Sequence, residues 1–331
     1  MPGPVLARPP EPRRPVEGSM WQRAKAVLLN SLNDPSQEVL GMGAPLAMAT
    51  TGRALAGARL ARAMQRAPQP LTEAVKLSEG GLALRQPILS RLEDALEVGA
   101  TRPADWQVGD RLLPAAGNAE ELERYVRGVG ATSPSTQFVK NIDESLGAHE
   151  LYLRGQPLTN ENLARQGIGI ATNKGPNVRR AYAGQELLSE GYPMKTESFS
   201  QLLLGKDRYP LDSHTIQLLG SNPEQGISKI LPDVRAYLQS VLGRRVSPGE
   251  AYLMMESAVG RGLRQVAGRA FRPVDTFAQM WEGIRGSKGL PYYRGMYDIL
   301  DRMGLTAPGA LRDPKLVSRA RGTAFAVGKG R

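Results

Sequence analysis

The chain predicts an all-α fold, a multi-helix bundle of short helices joined by Gly/Pro turns, and three observations predict it. Apolar residues recur at three- and four-residue spacing along most of its length. No stretch of four or more residues alternates convincingly with β-branched side chains. Segment after segment opens on a capping residue and closes on glycine. At 331 residues and 41% hydrophobic content the chain can bury a sizeable core, which at only 5% aromatics must rest on Leu, Ala, Val and Met.

Taken in order, residues 1–18 are rich in Pro and Arg and read as a disordered tail. Residues 19–117 read as an N-terminal helical segment and linker. Between Met20 and Ala67 its second half repeats Ala, Leu and Arg at helical spacing, an amphipathic basic helix ended by Pro68 and Pro70. Such a helix can pack on the protein, lie on a membrane surface or, through residues 39–66, dock a protein partner. "LRQPILSRLEDALEVG" (Leu84–Gly99) places Leu89, Leu92 and Leu96 on one face, and "TRPADWQVGDRLLPAAGN" reads as a loop or linker with a domain boundary near residue 117.

A helical core over 118–310 follows. "NAEELERYVRGVG" opens with Asn118 as N-cap and two Glu in the first turn. Phe138, Ile142 and Leu146 stand at i, i+4 and i+8. "LTNENLARQG" and "NVRRAYAGQELLSEG" are two more helices, each closed by Gly. Ser247, Pro248 and Glu250 form a capping-box signature. Residues 311–331 read as a basic tail.

Charge narrows the partners. The net charge is +11, a balance that favours nucleic acid or an anionic membrane surface. Residues 1–70 carry nine Lys/Arg against four Asp/Glu, residues 71–243 carry 18 against 21, and residues 244–331 carry 16 against seven. The ends are basic and the middle is not. The absence of cysteine excludes disulfides, thiolate zinc sites and iron–sulfur clusters. Two histidines, His149 and His214, argue against a His-rich metal site. The first residues lack the apolar stretch of a signal peptide, and the longest apolar run, Val39–Thr50, is too short and too broken to span a bilayer. The expectation is a cytoplasmic protein of a bacterial or phage-infected cell, with no transmembrane segment.

The least generic stretch is "YPMKTESFSQLLLGKDRYPLDSHTIQLLG", Tyr192–Gly220. Phe199, Leu202 and Leu203 share a helical face, and Thr196 as N-cap places Lys195 at the mouth of that helix. Pro210 breaks the chain, and Asp212 is a natural N-cap for the helix carrying Ile216 and Leu219. Two helices thus meet through a short turn, with a lysine opening one and an aspartate opening the next. "GIGIATNKGPNVRR" (Gly167–Arg180) puts Lys174 and Gly175 before a helix bearing Arg179 and Arg180. It lacks the order of a Walker loop, and reads either as a phosphate cradle or as a polar interhelical loop. Arg261, Arg264 and Arg272 recur at roughly helical spacing, as a phosphate-tracking face or as a solvated one.

The Lys-Thr pair, the apolar helix after it and the Pro-Leu-Asp-Ser-His segment resemble the helix-hairpin-helix DNA glycosylase superfamily, which contains the endonuclease-III-like and 8-oxoguanine glycosylases. The likeness covers roughly residues 120–265 and extends to phage-encoded proteins with a related pattern, which suggests a divergent phage-encoded member. Lys195 and Asp212 stand 17 residues apart, close to the family spacing. The resemblance implies that Lys195 attacks C1′ of the sugar and that Asp212 activates the nucleophile and stabilises positive charge on the sugar. It implies duplex DNA as partner, held by its backbone phosphates, a positional role for His214 beside that DNA, and no small-molecule cofactor. Lys174, Arg179, Arg180, Arg261 and Arg264 would complete the DNA contacts. The hairpin here reads "EGYPMK", with Gly191 alone where the family has a glycine pair. The alternative reading is a virion-associated or DNA-binding structural protein that keeps only the helical scaffold.

Overall fold

The computed structural model describes residues 44–328 apart from 101, 103–105, 135, 170–173, 188–193, 291 and 293; of residues 44–51, 194, 325 and 328 it describes the backbone alone. The Pro/Arg-rich tail, the first half of the N-terminal segment and the "EGYP" part of the hairpin lie outside them. Contacts group the chain into two units, Met1–Ala54 and Leu55–Arg331, and apart from the start of the first helix everything below concerns the second.

Among the described residues the fold is all-α, with one small hairpin of strands. Helix α1 (Ala44–Gln65) comes first, and buries Ala56 and Leu60 while Leu55 stays exposed. Strands β1 (Val75–Ser78) and β2 (Gly81–Leu84) pair antiparallel, Val75 opposite Leu84 and Ser78 opposite Gly81. At four residues each they are too short for an alternation to register in the sequence, which is why the all-helical reading passes over them. The hairpin is held by packing: Val75, Leu82 and Leu84 enter the core.

Helix α2 (Gln86–Gly99) follows, then α3 (Gly109–Ala116). The latter corrects the expected loop. Pro114 and the flanking glycines read as breakers, yet Leu112, Ala115 and Ala116 are buried on one side of a short helix. Next come α4 (Ala119–Thr132), α5 (Phe138–Leu153), α6 (Asn160–Arg165), α7 (Lys174–Tyr182), α8 (Met194–Leu203) and α9 (Ser213–Leu218). The chain continues through α10 (Gly226–Leu242), α11 (Pro248–Ala267), α12 (Pro273–Ser287), α13 (Met296–Arg302), α14 (Pro314–Ala320) and α15 (Ala324–Gly328).

Capping residues behave as their chemistry requires. Asn118 accepts from the Glu121 amide and Ser247 from the Glu250 amide. The reciprocal half of the capping box does not form, because Glu250 pairs with Arg244 at 2.5 Å instead. The expected boundary near residue 117 falls between α3 and α4, whose Leu112 and Leu122 enter one and the same core cluster. The expected basic tail is helical over α14 and α15. Val317, Ala320 and Ala324 are buried, and Arg321 reaches Glu150 on α5 at 3.1 Å.

Close helix contacts set the frame of the site. On α12 a methyl group at Gly283 would overlap the Ala95 carbonyl of α2, and one at Gly99 would overlap the Gln279 carbonyl of α12. The two backbones touch where Ala95 and Gly99 of α2 face Gly283 and Gln279 of α12, and Gln279 Nε2 adds a bond to Leu96 O at 2.6 Å. Gly130 of α4 admits Ser200 of α8 in the same way. Helix propensity alone would favour Gly283→Ala by about 1 kcal/mol. Backbone atoms cannot rotate away as a side chain does, so overpacking dominates, and a net loss of about 2 kcal/mol or more is expected from the urea midpoint. A loss under about 0.5 kcal/mol would show that α12 and α2 are not in backbone contact.

Candidate active site

The site assembles where α8, α9 and α12 converge. Helix α8 starts at Met194, two residues before the expected cap; Thr196 lies inside it and is buried. Lys195 therefore stands in the first turn of α8. It shares a face with Phe199, four residues on. Glu197, on another face, anchors the helix by accepting from the Leu187 amide at 3.1 Å and from Gln201 at 2.8 Å.

The turn between α8 and α9 is pinned from α11. Glu256, 3% exposed, accepts from Arg208 Nε at 2.7 Å, Ser198 Oγ at 3.0 Å and the Tyr209 amide at 2.7 Å. Tyr252 Oη accepts from the Leu211 amide at 3.1 Å. This places the next residue, Asp212, as the N-cap of α9. Its Oδ1 accepts from the Thr215 amide at 2.8 Å and lies 3.0 Å from the Thr215 hydroxyl, which also faces Pro210 O at 3.1 Å. Its Oδ2 accepts from the indole N–H of Trp281 at 2.9 Å. The carboxylate is thereby fixed at both oxygens, while its side chain keeps 19% of its surface open.

Trp281 belongs to α12, and it joins a cluster of aromatic rings beneath the site. Trp106 meets Trp281 edge to face at 5.1 Å and stacks on Phe138 at 5.2 Å. Phe199 and Phe277 lie 6.1 Å and 6.5 Å from Trp106. Together they form a rigid apolar floor under the polar groups. His214 sits 4.9 Å from the Trp281 ring, with Nδ1 3.8 Å from Asp212 Oδ2, too far for a hydrogen bond.

Electrostatics at this point are unusual. Burial works to raise the Asp212 pKa, but the positive charge of His214 and of Lys195, with the bonds from Thr215 and Trp281, outweighs it and holds the carboxyl below its ordinary range. His214 is pushed down to about 4, by burial first and then by Lys288, Arg285 and Lys195 against the pull of Asp212. At neutral pH the pair is a carboxylate beside a neutral imidazole. Lys288 is exposed, but partial desolvation of its ammonium and the charge of Arg285 lower its pKa against the pull of Asp212.

The remaining sequence candidates lie elsewhere. Lys174 does not serve a phosphate loop: it is the first residue of α7, buried, with Nζ 2.9 Å from Glu144 and bonded to Thr136. Arg179 is exposed and bonds Asn160 at 2.9 Å, and Arg180 bonds Glu186 O at 2.6 Å. On α11, Arg261 is exposed and bonds Ser257 and the Leu82 carbonyl, which ties that helix to the hairpin. Arg264 pairs with Asp207 at 2.9 Å and lies over the Phe271 ring. Arg272, which precedes α12, pairs with Asp275 in the first turn of that helix. Three residues of the site went unread in the sequence: Trp281, Arg285 and Lys288. Their spacing of i, i+4 and i+7 in "WEGIRGSK" is the signal that could have found them.

Among the described residues no helix is long and apolar enough to cross a membrane, and no group of three or more acidic or imidazole side chains could hold a metal ion. No family model, no curated protein and no solved structure matches this chain.

Proposed function

We propose that this protein acts on DNA as a base-excision glycosylase with lyase capacity, with Asp212 as the catalytic carboxylate and Lys195 as the amine. One observation carries the reading. Lys195 in the first turn of α8 and Asp212 capping α9 are within electrostatic reach of each other across the turn between those helices. Cleavage of an N-glycosidic bond develops positive charge on the sugar, and a fixed, ionised carboxylate is what stabilises it. The depressed pKa makes Asp212 a poor proton acceptor and a good electrostatic stabiliser, so that role fits it better than general base. Once the Lys195 ammonium has released one proton to solvent, the free amine forms the N–C1′ bond as the base departs with the electron pair of the glycosidic bond and takes up a proton. Ring opening and loss of the amine proton then give an iminium that permits strand cleavage. The target nucleotide leaves the stack to reach this point. A protein keeping only the scaffold would retain Asp212 as a cap.

Borohydride trapping tests the proposal. Duplexes carrying an abasic site, 8-oxoguanine, uracil or an oxidised pyrimidine are mixed with the full chain, and a covalent adduct is expected with at least one. Lys195→Ala is expected to remove it. No adduct and no base release with any substrate would leave the DNA-binding scaffold as the better reading.

A further inference from the structure

Four cations surround two carboxylates at this point in the fold. Glu282, fully buried, lies 3.6 Å from Arg102 and 3.7 Å from Arg285. Arg285 also covers the Trp281 ring, 4.7 Å from its centre. Those two guanidinium groups therefore answer to Glu282. Asp212 is satisfied by directed donors from Thr215 and Trp281. Lys195 and Lys288 make no ion pair and no side-chain hydrogen bond among the described residues, yet both act electrostatically on Asp212 and on His214.

Position reinforces the charge count. Lys288 directly follows α12 at its C-terminal cap, on the face of that helix that carries Trp281 and Arg285. Trp281 bonds Asp212 and packs against His214, so this face is turned toward the start of α9. Lys288 is exposed and so can meet a ligand from solvent. The excision chemistry uses one amine. The second surplus cation has no ion-pair or hydrogen-bond partner among the described residues and acts on the same carboxylate.

We infer that Lys288 is a substrate-binding residue whose ammonium takes a non-bridging oxygen of a phosphate group, that phosphate being the backbone phosphodiester flanking the nucleotide whose sugar lies over Asp212. The inference rests on the proposed function for its DNA, and on the geometry of α12 for its anion. A phosphate there sets the register of the strand against Asp212 while Lys195 remains available to C1′. It also adds negative charge beside His214, which Asp212, Lys195, Arg285 and Lys288 face.

Two measurements on the full chain test it, with Lys288→Gln as the variant; the side chain is exposed, so the variant is expected to fold. The first follows the His214 imidazole by NMR as pH is varied, with and without inorganic phosphate. Phosphate is expected to raise the His214 midpoint by about half a pH unit or more in the native protein and to leave Lys288→Gln unmoved. The second measures duplex affinity against salt, where Lys288→Gln is expected to lower the slope of log K on log salt by about one. A lowered slope without a response to inorganic phosphate supports a seat that accepts only the diester. A response to inorganic phosphate with an unchanged slope overturns the DNA assignment. Neither effect overturns the seat altogether. A borohydride adduct that survives Lys195→Ala and disappears in Lys288→Gln would make Lys288 the amine and overturn its role as anion binder. Absence of any adduct alongside a lowered slope would defeat the excision reading and leave the seat standing.

Discussion

Asp212→Asn is expected to lower base release by at least about 100-fold under single-turnover conditions, the scale on which removing one electrostatic stabiliser of a charged transition state acts. The substitution removes charge and little volume. Asn ranks with Asp as an N-cap, so the Thr215 amide can still be satisfied through Oδ1. The second oxygen then becomes an amide NH2 facing the Trp281 N–H, two donors in contact. Turning the amide over satisfies Trp281 and abandons the cap. Either way one bond is lost, at about 1–2 kcal/mol of stability by urea unfolding. Trp281→Phe is the matching control. It keeps the carboxylate and its charge, deletes the donor to Oδ2 and retains most of the packing against Trp106. A much smaller fall in rate is expected than for Asp212→Asn, because the charge survives and only its placement loosens. If Asp212→Asn retains activity within about threefold of the native protein, the carboxylate is a helix cap and the excision chemistry lies elsewhere.

The parts of this site that were legible in the sequence are those set by local signals. A carboxylate at an N-cap, a lysine opening an apolar helix and a proline between them are all short-range features; Ser213–Leu218 forms where they place it, and Met194–Leu203 starts two residues before its expected cap. Trp281 lies 69 residues from Asp212, and nothing local in "QMWEGIRGSK" says that its indole will meet that carboxylate. That meeting depends on Gly99 and Gly283 letting two helix backbones touch, a property of the folded pair. Lys174 shows the opposite failure. Pro176 and Gly175 read as loop, but proline is tolerated in the first turn of a helix, and α7 starts at Lys174 itself. Its partner Glu144 stands 30 residues earlier on α5, so a buried ion pair looked like an open phosphate ligand. The hairpin over Val75–Leu84 was missed because packing, not intrinsic pattern, decides strands of that length.

Glu256→Ala is expected to cost about 3–5 kcal/mol, the range for breaking a buried ion pair from one side. Glu256 is 3% exposed, and its two oxygens receive Arg208 Nε at 2.7 Å, Arg208 Nη2 at 3.2 Å, Ser198 Oγ at 3.0 Å and the Tyr209 amide at 2.7 Å. Those donors come from α8 and from the turn that leads to Asp212. Truncation strands a part-buried guanidinium and a buried backbone N–H together. The same deletion slackens a side chain that holds Lys195's helix and Asp212's turn to α11 at once, so activity is expected to fall with stability. A double-mutant cycle separates the terms. Arg208→Met alone leaves a buried carboxylate short of a charged partner and is itself destabilising. Glu256→Leu combined with Arg208→Met removes both charges and retains volume, and is expected to recover a substantial part of the loss, because the penalty comes from the uncompensated partner more than from the pair's net worth. Urea midpoints at constant m-value read the cycle directly. Additive single and double losses would show that Arg208 and Glu256 do not sense one another, and Glu256 would then hold the turn before Asp212 through the Tyr209 amide and Ser198 instead.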